Sequence, residues 1–270
     1  MLATQRQSRI LAELDQAGAV RVSDLAEMLG VSDMTVRRDL KTMQQAGMLI
    51  KVHGGARVRH EKSAAEPGFA IKSQRQLTEK EAIARRAAAL VEPGSAIAVS
   101  AGTTTYTLAR HIVGVPDLTV ITNSTRVAEV LEHAGSDSMT VLLTGGQRTP
   151  SDALVGPLAL AAWASLHVDT CFLGVHGMHP ETGFTTPNLL ESETNRAMIE
   201  ASSRLVVVAD SSKWGTVGLT TMAQLHEANV IVTDAGLDDE AAATLAAEID
   251  EVIVVDVDER DTRAAHPGQG

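Results

Sequence analysis

A chain of 270 residues has room for one or two globular domains, and its 44% hydrophobic and 21% charged residues exclude wholesale disorder. No apolar stretch reaches the roughly 18 residues of a membrane span, and the first residues lack a secretory apolar segment, so a cytoplasmic protein with no membrane role is expected. The net charge of −11 hides an asymmetry: nine of the 23 Lys and Arg fall in residues 1–60, but only six of the 34 Asp and Glu.

A small basic head on an acidic body is therefore expected, and local positive charge is all that a phosphate-binding surface needs. In the head, Ile10, Leu11, Leu14 and Ala17 form one helical face, with Gly18 as its stop. After Val20-Arg21-Val22, Ser23 is expected to cap a second helix with Leu25, Met28 and Leu29 inward and Gly30 turning out of it left-handed. Ser32 then stands as the N-cap of a third helix whose buried stripe is Val36, Leu40 and Met43. Met34, Arg37, Arg38, Lys41 and Gln44 must point outward. Two helices joined by a short Gly-bearing turn, the second with a basic outer face, make a helix-turn-helix.

The stretch 47–58 reads as two short strands around Gly54-Gly55, which is the wing of a winged helix. Lys51, His53, Arg57 and Arg59 lie near its tip or flanks. The alternative is a small helical interaction domain with solvated charges.

The run Val31-Ser32-Asp33-Met34-Thr35-Val36-Arg37-Arg38-Asp39-Leu40, followed by Gly47-Met48-Leu49 and His53-Gly54-Gly55-Ala56, resembles the DNA-binding signature of DeoR-family transcriptional regulators. That resemblance implies that Thr35, Arg37 and Arg38 approach DNA while the hairpin grips the backbone beside them. On the helix the candidate DNA-binding residues are Ser32, Met34, Thr35, Arg37, Arg38 and Lys41. On the wing they are Lys51, His53 and Arg57. Met34 is a candidate for contact with a thymine methyl, plain solvent exposure being the alternative.

Residues 1–60 are read as the DNA-binding domain, 61–75 as a linker containing Glu66-Pro67-Gly68, 76–257 as a second domain and 258–270 as a disordered tail. The body opens with a helix carrying Ile83, Ala87, Leu90 and Val91, ended by Pro93-Gly94. Seven β-branched runs come next, at Ile97–Val99, Thr119–Ile121, Thr140–Leu143, Thr170–Leu173, Leu205–Ala209, Val230–Val232 and Val252–Val255. They do not alternate and are separated by amphipathic stretches, which predicts a mostly parallel α/β sheet covered on both faces. With only three Phe, two Trp and one Tyr, its core must be aliphatic.

Sites in such sheets form at the carboxyl ends of the strands. Here the strands lead into Ser100-Ala101-Gly102-Thr103-Thr104-Thr105, Thr122-Asn123-Ser124, Thr144-Gly145-Gly146, Gly174-Val175-His176-Gly177 and Asp210-Ser211-Ser212-Lys213. Backbone N–H groups, hydroxyls and helix N-termini together suit an anion. The alternative is that these residue types simply suit turns.

Ala96 to Leu108, the Thr-Asn-Ser and Thr-Gly-Gly segments and Val208-Ala209-Asp210-Ser211-Ser212-Lys213-Trp214-Gly215 resemble the sugar-phosphate sensor domain of the same family. The chain departs at Ser100, where many members carry Asp. The sensor in turn resembles ribose-5-phosphate isomerase, and that resemblance aligns Lys80 with a phosphate-contacting lysine. It also places Asn195 where the isomerase has its catalytic glutamate and Thr186 where it has its lysine, so the binding frame is expected without the chemistry. The candidate phosphate residues are Lys80, Gly102, Thr103, Thr104 and Thr105, and Ser100 is an effector candidate whose departure bears on sugar preference and leaves the phosphate cradle alone. The remaining effector candidates are Asn123, Ser124, Gly145, Gly146, Gly174, His176, Glu191, Asp210 and Lys213. His176 and His179 lack a paired carboxylate, so no metal is read there, and no cofactor is expected. Cys171, the lone cysteine, is read as a core residue.

The reading is a homo-oligomeric, non-enzymatic, DNA-binding repressor of a sugar-metabolism operon, released by a phosphorylated sugar. An activator or dual regulator of the same build is one alternative, and an isomerase-like enzyme with an appended DNA-binding domain is another.

Overall fold

Apolar residues at helical spacing draw three helices around one small core in the head. The computed structural model describes residues 3–17, 19–45, 48–52, 54–57, 68–134 and 136–257, and for residues 15–17, 19 and 57 the backbone only. His53, Arg59, Gly18, Gly47, most of the linker and the 258–270 tail lie outside the described residues, as do the Ala17 and Arg57 side chains. The chain divides into two units, Met1–Lys62 with Ala70–Gln76 and Ser63–Phe69 with Leu77–Gly270.

The head runs α1 (Ala3–Ala17), β1 (Ala19–Arg21), α2 (Val22–Leu29), α3 (Asp33–Gln45), β2 (Ile50–Val52) and β3 (Gly55–Arg57). Ile10, Leu14, Leu25, Val36, Leu40 and Met43 close its core. Gly30 leaves α2 in the left-handed region, at φ 64°. The Ser32 hydroxyl accepts the Thr35 N–H at 3.3 Å, as an N-cap does.

Two expectations for α2 are corrected. The helix begins at Val22, not after Ser23, because Val22 inserts into the core and its N–H donates to Gly54 O at 2.9 Å. The Ser23 hydroxyl donates instead to Asp24 Oδ1. Met28 is 37% exposed, because the buried stripe is Val22, Leu25, Ala26 and Leu29, the i, i+3, i+4, i+7 pattern that leaves residue 28 outside.

The wing is a three-stranded antiparallel sheet in the order β1-β3-β2. A Cβ at Gly55 would stand 2.1 Å from Val20 O, so glycine alone lets β3 run against β1.

The single turn α4 (Phe69–Lys72) comes next in the chain, with Ala70–Lys72 counted in the first unit, and the second unit continues with α5 (Leu77–Ala88). Strand and helix then alternate through β4 (Ala96–Val99), α6 (Thr103–Ile112), β5 (Thr119–Thr122), α7 (Thr125–Ala134) and β6 (Thr140–Leu143). A hairpin arm, β7 (Gln147–Arg148) and β8 (Leu154–Val155), leads to α8 (Pro157–Trp163) and β9 (Val168–Gly174). The rest comprises β10 (Gly177–His179), β11 (Gly183–Thr186), α9 (Leu189–Glu200), β12 (Ser202–Val208), β13 (Thr220–Ala223), β14 (Val230–Asp234), α10 (Asp239–Glu248) and β15 (Glu251–Val255).

All seven expected strands join one parallel sheet, ordered β15-β14-β12-β9-β4-β5-β6. Its two faces are buried by separate hydrophobic clusters, mostly aliphatic, with Trp163 and Phe184 in one and Phe172 in the other. Along β9, Cys171 and Leu173 enter one cluster and Phe172 the other. The chain starts mid-sheet at β4, runs outward to β6 and returns to β9 on the other side of β4. That reversal creates a switch point between β4 and β9, where crevices form at the strands' carboxyl ends. A second, antiparallel sheet, β10-β11-β13, was not expected; its short runs carry one core side chain each from β10 and β11, Met178 and Phe184.

Candidate DNA interface and ligand site

The stripe Val36, Asp39, Leu40 and Met43 faces the head core, so the opposite side of α3 must carry Met34, Arg37, Arg38 and Lys41. All four are exposed, Met34 by 76%, and the three cations form no ion pair among the described residues. Thr35 is half-buried, its hydroxyl 3.0 Å from Ser32 Oγ. Ser32 and Thr35 thus order the start of the helix while the cations stay free. Lys51, on β2, is half-buried.

At the switch point, Ser100 follows β4 fully buried and its hydroxyl accepts the Gly174 N–H at 2.9 Å, stitching the ends of β4 and β9. Gly102 stands at the N-cap of α6, with Thr103, Thr104 and Thr105 as its first turn. The Thr105 hydroxyl donates to Gly102 O, and the Thr104 hydroxyl has no hydrogen bond among the described residues.

Asn123 follows β5 fully buried. Its Oδ1 accepts the Ala101 N–H at 2.9 Å, while Nδ2 has no partner among the described residues. Across the switch point, Asp210 follows β12, also fully buried. One carboxylate oxygen accepts the Ser212 hydroxyl and the other, Oδ2, has no partner among the described residues. Burial alone would raise the Asp210 carboxyl. Lys213, Lys80 and the Ser212 hydroxyl outweigh it and hold the group below its ordinary range. Lys80, on the first turn of α5, is only 4% exposed.

Sequence reading missed two carboxylates of this cluster. Asp234, at the end of β14, accepts the Ser211 N–H and hydroxyl, each at 2.7 Å, and the Gly236 N–H at 3.0 Å, and so holds the Asp210 loop. Glu79 lies beside it, its carboxyl raised by burial and by Asp234 and Asp210. A carboxylate that ends a strand could have flagged Asp234; Glu79 looked like an ordinary charge in a first helical turn.

Other expected residues have structural partners. The Ser124 hydroxyl accepts the Val127 N–H and caps α7. Gly145 and Gly146 turn into the hairpin arm, where a Cβ on Gly146 would meet Val155 O at 2.5 Å. Glu191, on α9, accepts the Thr149 hydroxyl of the arm at 2.6 Å. The His176 N–H donates to Thr185 O. Asn195 donates its amide to Met222 Sδ at 3.1 Å, and Thr186 is buried in β11. A cleft of about 410 Å³ opens instead at the amino ends of β4 and β9, between Ser95, Asp169 and Arg204, and holds no orphaned polar atom among the described residues. Among the described residues no helix is long and apolar enough to cross a membrane, and no three His, Cys, Asp or Glu could hold a metal ion.

A winged helix with a free basic face, joined to a doubly covered α/β sheet with unsatisfied polar groups at its switch point, has the build of a transcriptional regulator. The DeoR-like helix-turn-helix domain matches residues 6–62, and the DeoR C-terminal sensor domain matches residues 75–235. The chain is 32% identical over 254 residues to a putative aga operon transcriptional repressor of Escherichia coli O157:H7, covering 93% of this chain and 94% of that one. It is 35% identical over 239 residues to the transcriptional regulator GlpR of Haloferax volcanii, covering 88% and 92%. To the lactose phosphotransferase system repressor of Streptococcus mutans it is 33% identical over 236 residues, covering 87% and 93%. This chain belongs to the DeoR family of transcriptional regulators. A solved ribose 5-phosphate isomerase of Methanocaldococcus jannaschii matches 50% of this chain and 53% of its own at 15% identity and TM-score 0.36, a likeness too slight to bear on function.

Proposed function

We propose that this chain is a cytoplasmic homo-oligomer that represses a carbohydrate operon. Residues 1–60 hold operator DNA, 61–75 connect, 76–257 sense a phosphorylated sugar that releases the DNA, and 258–270 form a tail. The cations of α3 meet phosphates and guanine edges, with Lys51, His53 and Arg57 of the wing on the flanking backbone.

The observation that carries the sensor reading is a pair of buried atoms, Asn123 Nδ2 and Asp210 Oδ2, that have no partner among the described residues. A buried donor and acceptor are costly when left unpaired, and a sugar hydroxyl both accepts and donates. The phosphate would sit on the N–H groups at the start of α6, beside Lys80 and the Thr104 hydroxyl, and Lys213 would close over the sugar. Relatives named as an aga operon repressor and a lactose phosphotransferase system repressor fit that reading. Catalysis is not part of it, in keeping with relatives that are named as transcriptional regulators and repressors.

A panel of sugar phosphates and their free sugars, read by melting temperature and gel shift, tests the proposal. One phosphate ester should raise melting and weaken operator binding, and its free sugar should do neither. Asn123→Ala and Lys80→Ala should reduce the melting shift. A panel that moves nothing, or a free sugar as effective as its ester, would sink the sensor reading. Loss of the gene should raise transcription from the bound promoter; a fall would make the protein an activator.

A further inference from the structure

The sheet edges of the second unit are not alike. In the antiparallel sheet, β10 has the Gly215 N–H on Met178 O at 2.9 Å, with Trp214 bridged to Met178. At the other edge, two carbonyls of β13 are taken by α9: the Ser192 hydroxyl donates to Thr221 O at 2.9 Å and Arg196 Nη1 to Met222 O at 2.8 Å. In the parallel sheet, the edge strand β15 is framed by exposed Asp250, Glu251 and Asp256. Cover by other segments and charge are the usual guards of an open edge.

The opposite edge strand, β6, has neither. It pairs with β5 from Thr119↔Thr140 to Thr122↔Leu143 without a bulge. Residues 138–147, Ser-Met-Thr-Val-Leu-Leu-Thr-Gly-Gly-Gln, contain no charge and no proline, in a chain with 21% charged residues. Leu142 and Leu143 are 45% and 46% exposed.

The hydrogen bonds to β5 fix which backbone groups are open. The Thr140 N–H donates to Leu118 O at 2.9 Å and the Thr144 N–H to Thr122 O at 3.0 Å. Every second residue of a parallel strand faces its neighbour, so Thr140, Leu142 and Thr144 turn their backbone groups to β5. Val141 and Leu143 turn theirs outward, where no strand stands among the described residues. Val141 packs against the cluster of Phe172, so Leu143 lies on that face too. Leu142 lies on the other face, level with Ile121 of the second cluster.

We propose that β6 is a self-association edge, at which two copies of this chain pair their β6 strands antiparallel about a two-fold axis at Leu142. The proposal rests on the homo-oligomer of the reading above and gives it an interface. The open backbone groups set the register. Val141 stands opposite Leu143 of the partner subunit and exchanges both backbone bonds with it, and Leu142 meets Leu142 of the partner subunit in the close, non-hydrogen-bonded position. Each core cluster is thereby continued across the axis, one by Val141 and Leu143, the other by the paired Leu142 side chains. Charge selects the occupant. At a net −11, copies of the chain repel one another except where their surfaces are uncharged, and β6 is the uncharged edge of the parallel sheet. The same apolar run serves both copies, as an isologous contact requires.

The test uses the full chain. Light scattering that shows a monomer at micromolar concentration overturns the homo-oligomer and the edge together, and leaves β6 to a strand of some other protein. Where the wild type associates, Leu142→Lys sets like charges face to face and should raise the dissociation constant at least about tenfold, with circular dichroism unchanged. Undiminished association overturns the edge while the homo-oligomer stands.

Leu142→Cys reads the register itself and decides the matter if the lysine variant does not fold. The native thiol, Cys171, is buried, so the new one is the reactive group. Under oxidised glutathione it should join two copies into a covalent dimer on a non-reducing gel, because opposed Cα atoms in such a pair stand about 4.5 Å apart. Leu143→Cys should stay monomeric on the same gel, since its counterpart across the axis lies beyond the roughly 7 Å that a disulfide spans. Any other pattern of cross-linking overturns the pairing.

Discussion

Arg6 of α1 grips Asp39 of α3 with two nitrogens, Nε 2.8 Å from Oδ2 and Nη2 3.1 Å from Oδ1. Asp39 occupies the i+3 position of the stripe Val36, Leu40 and Met43, where an apolar side chain is the rule, and it is 5% exposed. A carboxylate there needs a partner, and Arg6 supplies a fork that also fixes the rotation of α3. Arg6→Ala and Asp39→Ala should each weaken operator binding, and the double variant should be no worse than the poorer single. A double-mutant cycle by gel shift checks this, and full additivity would show that the pair does not act as a unit.

On the outer face, Arg37 and Arg38 have no partner among the described residues of the head to lose. Arg37→Ala or Arg38→Ala should therefore leave melting unchanged and cost about 1–3 kcal/mol in specific binding. Lys41→Ala should weaken all sequences alike and reduce the salt slope by about one. Gel shifts of operator and scrambled duplexes across a salt series measure all three. Unchanged operator affinity in both arginine variants would remove α3 from the interface.

The parallel sheet was legible because each of its seven strands carries a short apolar run that does not alternate with polar residues, and β4, β5 and β12 each lead into a polar loop. The antiparallel sheet was not, because β10 and β11 are short and β11 pairs on its other edge with β13, far along the chain, as Thr186 does with Thr220. At the site, Asp210 and Asn123 could be read from their place after strands, but their orphaned atoms could not. Ser124 and Gly146 were read for a ligand and have local structural partners, since a helix cap and a close backbone approach favour the same residue types. Glu191 could not be placed from sequence, because its partner Thr149 is 42 residues away.

Cys171 lies in the middle of the sheet, where burial pushes its thiol up to about 12. The nucleophile is the thiolate, so the folded protein should resist a thiol reagent at pH 8. One thiol per chain should react in denaturant. Fast labelling of the native protein would show that the β9 region opens to solvent far below global unfolding.

Glu79 and Asp210 titrate in opposite senses within one cluster, which gives the sensor two pH signatures. Asp210 is held below its ordinary 3.8, so its contribution to stability is present above that value and is lost as pH falls through the lower folded value. Glu79 is raised above 4.5 by burial and by the neighbouring Asp234 and Asp210. The folded state therefore binds its proton more tightly, and the stability this gives is complete below 4.5 and lost as pH rises through the folded value. At pH 7 an ionised Glu79 thus works against the fold, in a place where an incoming phosphate would be repelled as well. Glu79→Gln should raise the melting temperature at pH 7, and the gain should shrink in acid as the wild-type glutamate takes up its proton. The same variant should bind a sugar phosphate more tightly at neutral pH and lose that advantage in acid. Asp210→Asn should flatten the acid side of the melting profile and weaken the ligand-induced shift. Melting curves of the three proteins from pH 3 to 8 decide the matter; a Glu79→Gln gain that does not vary with pH would show that the carboxylate is not the source of the strain.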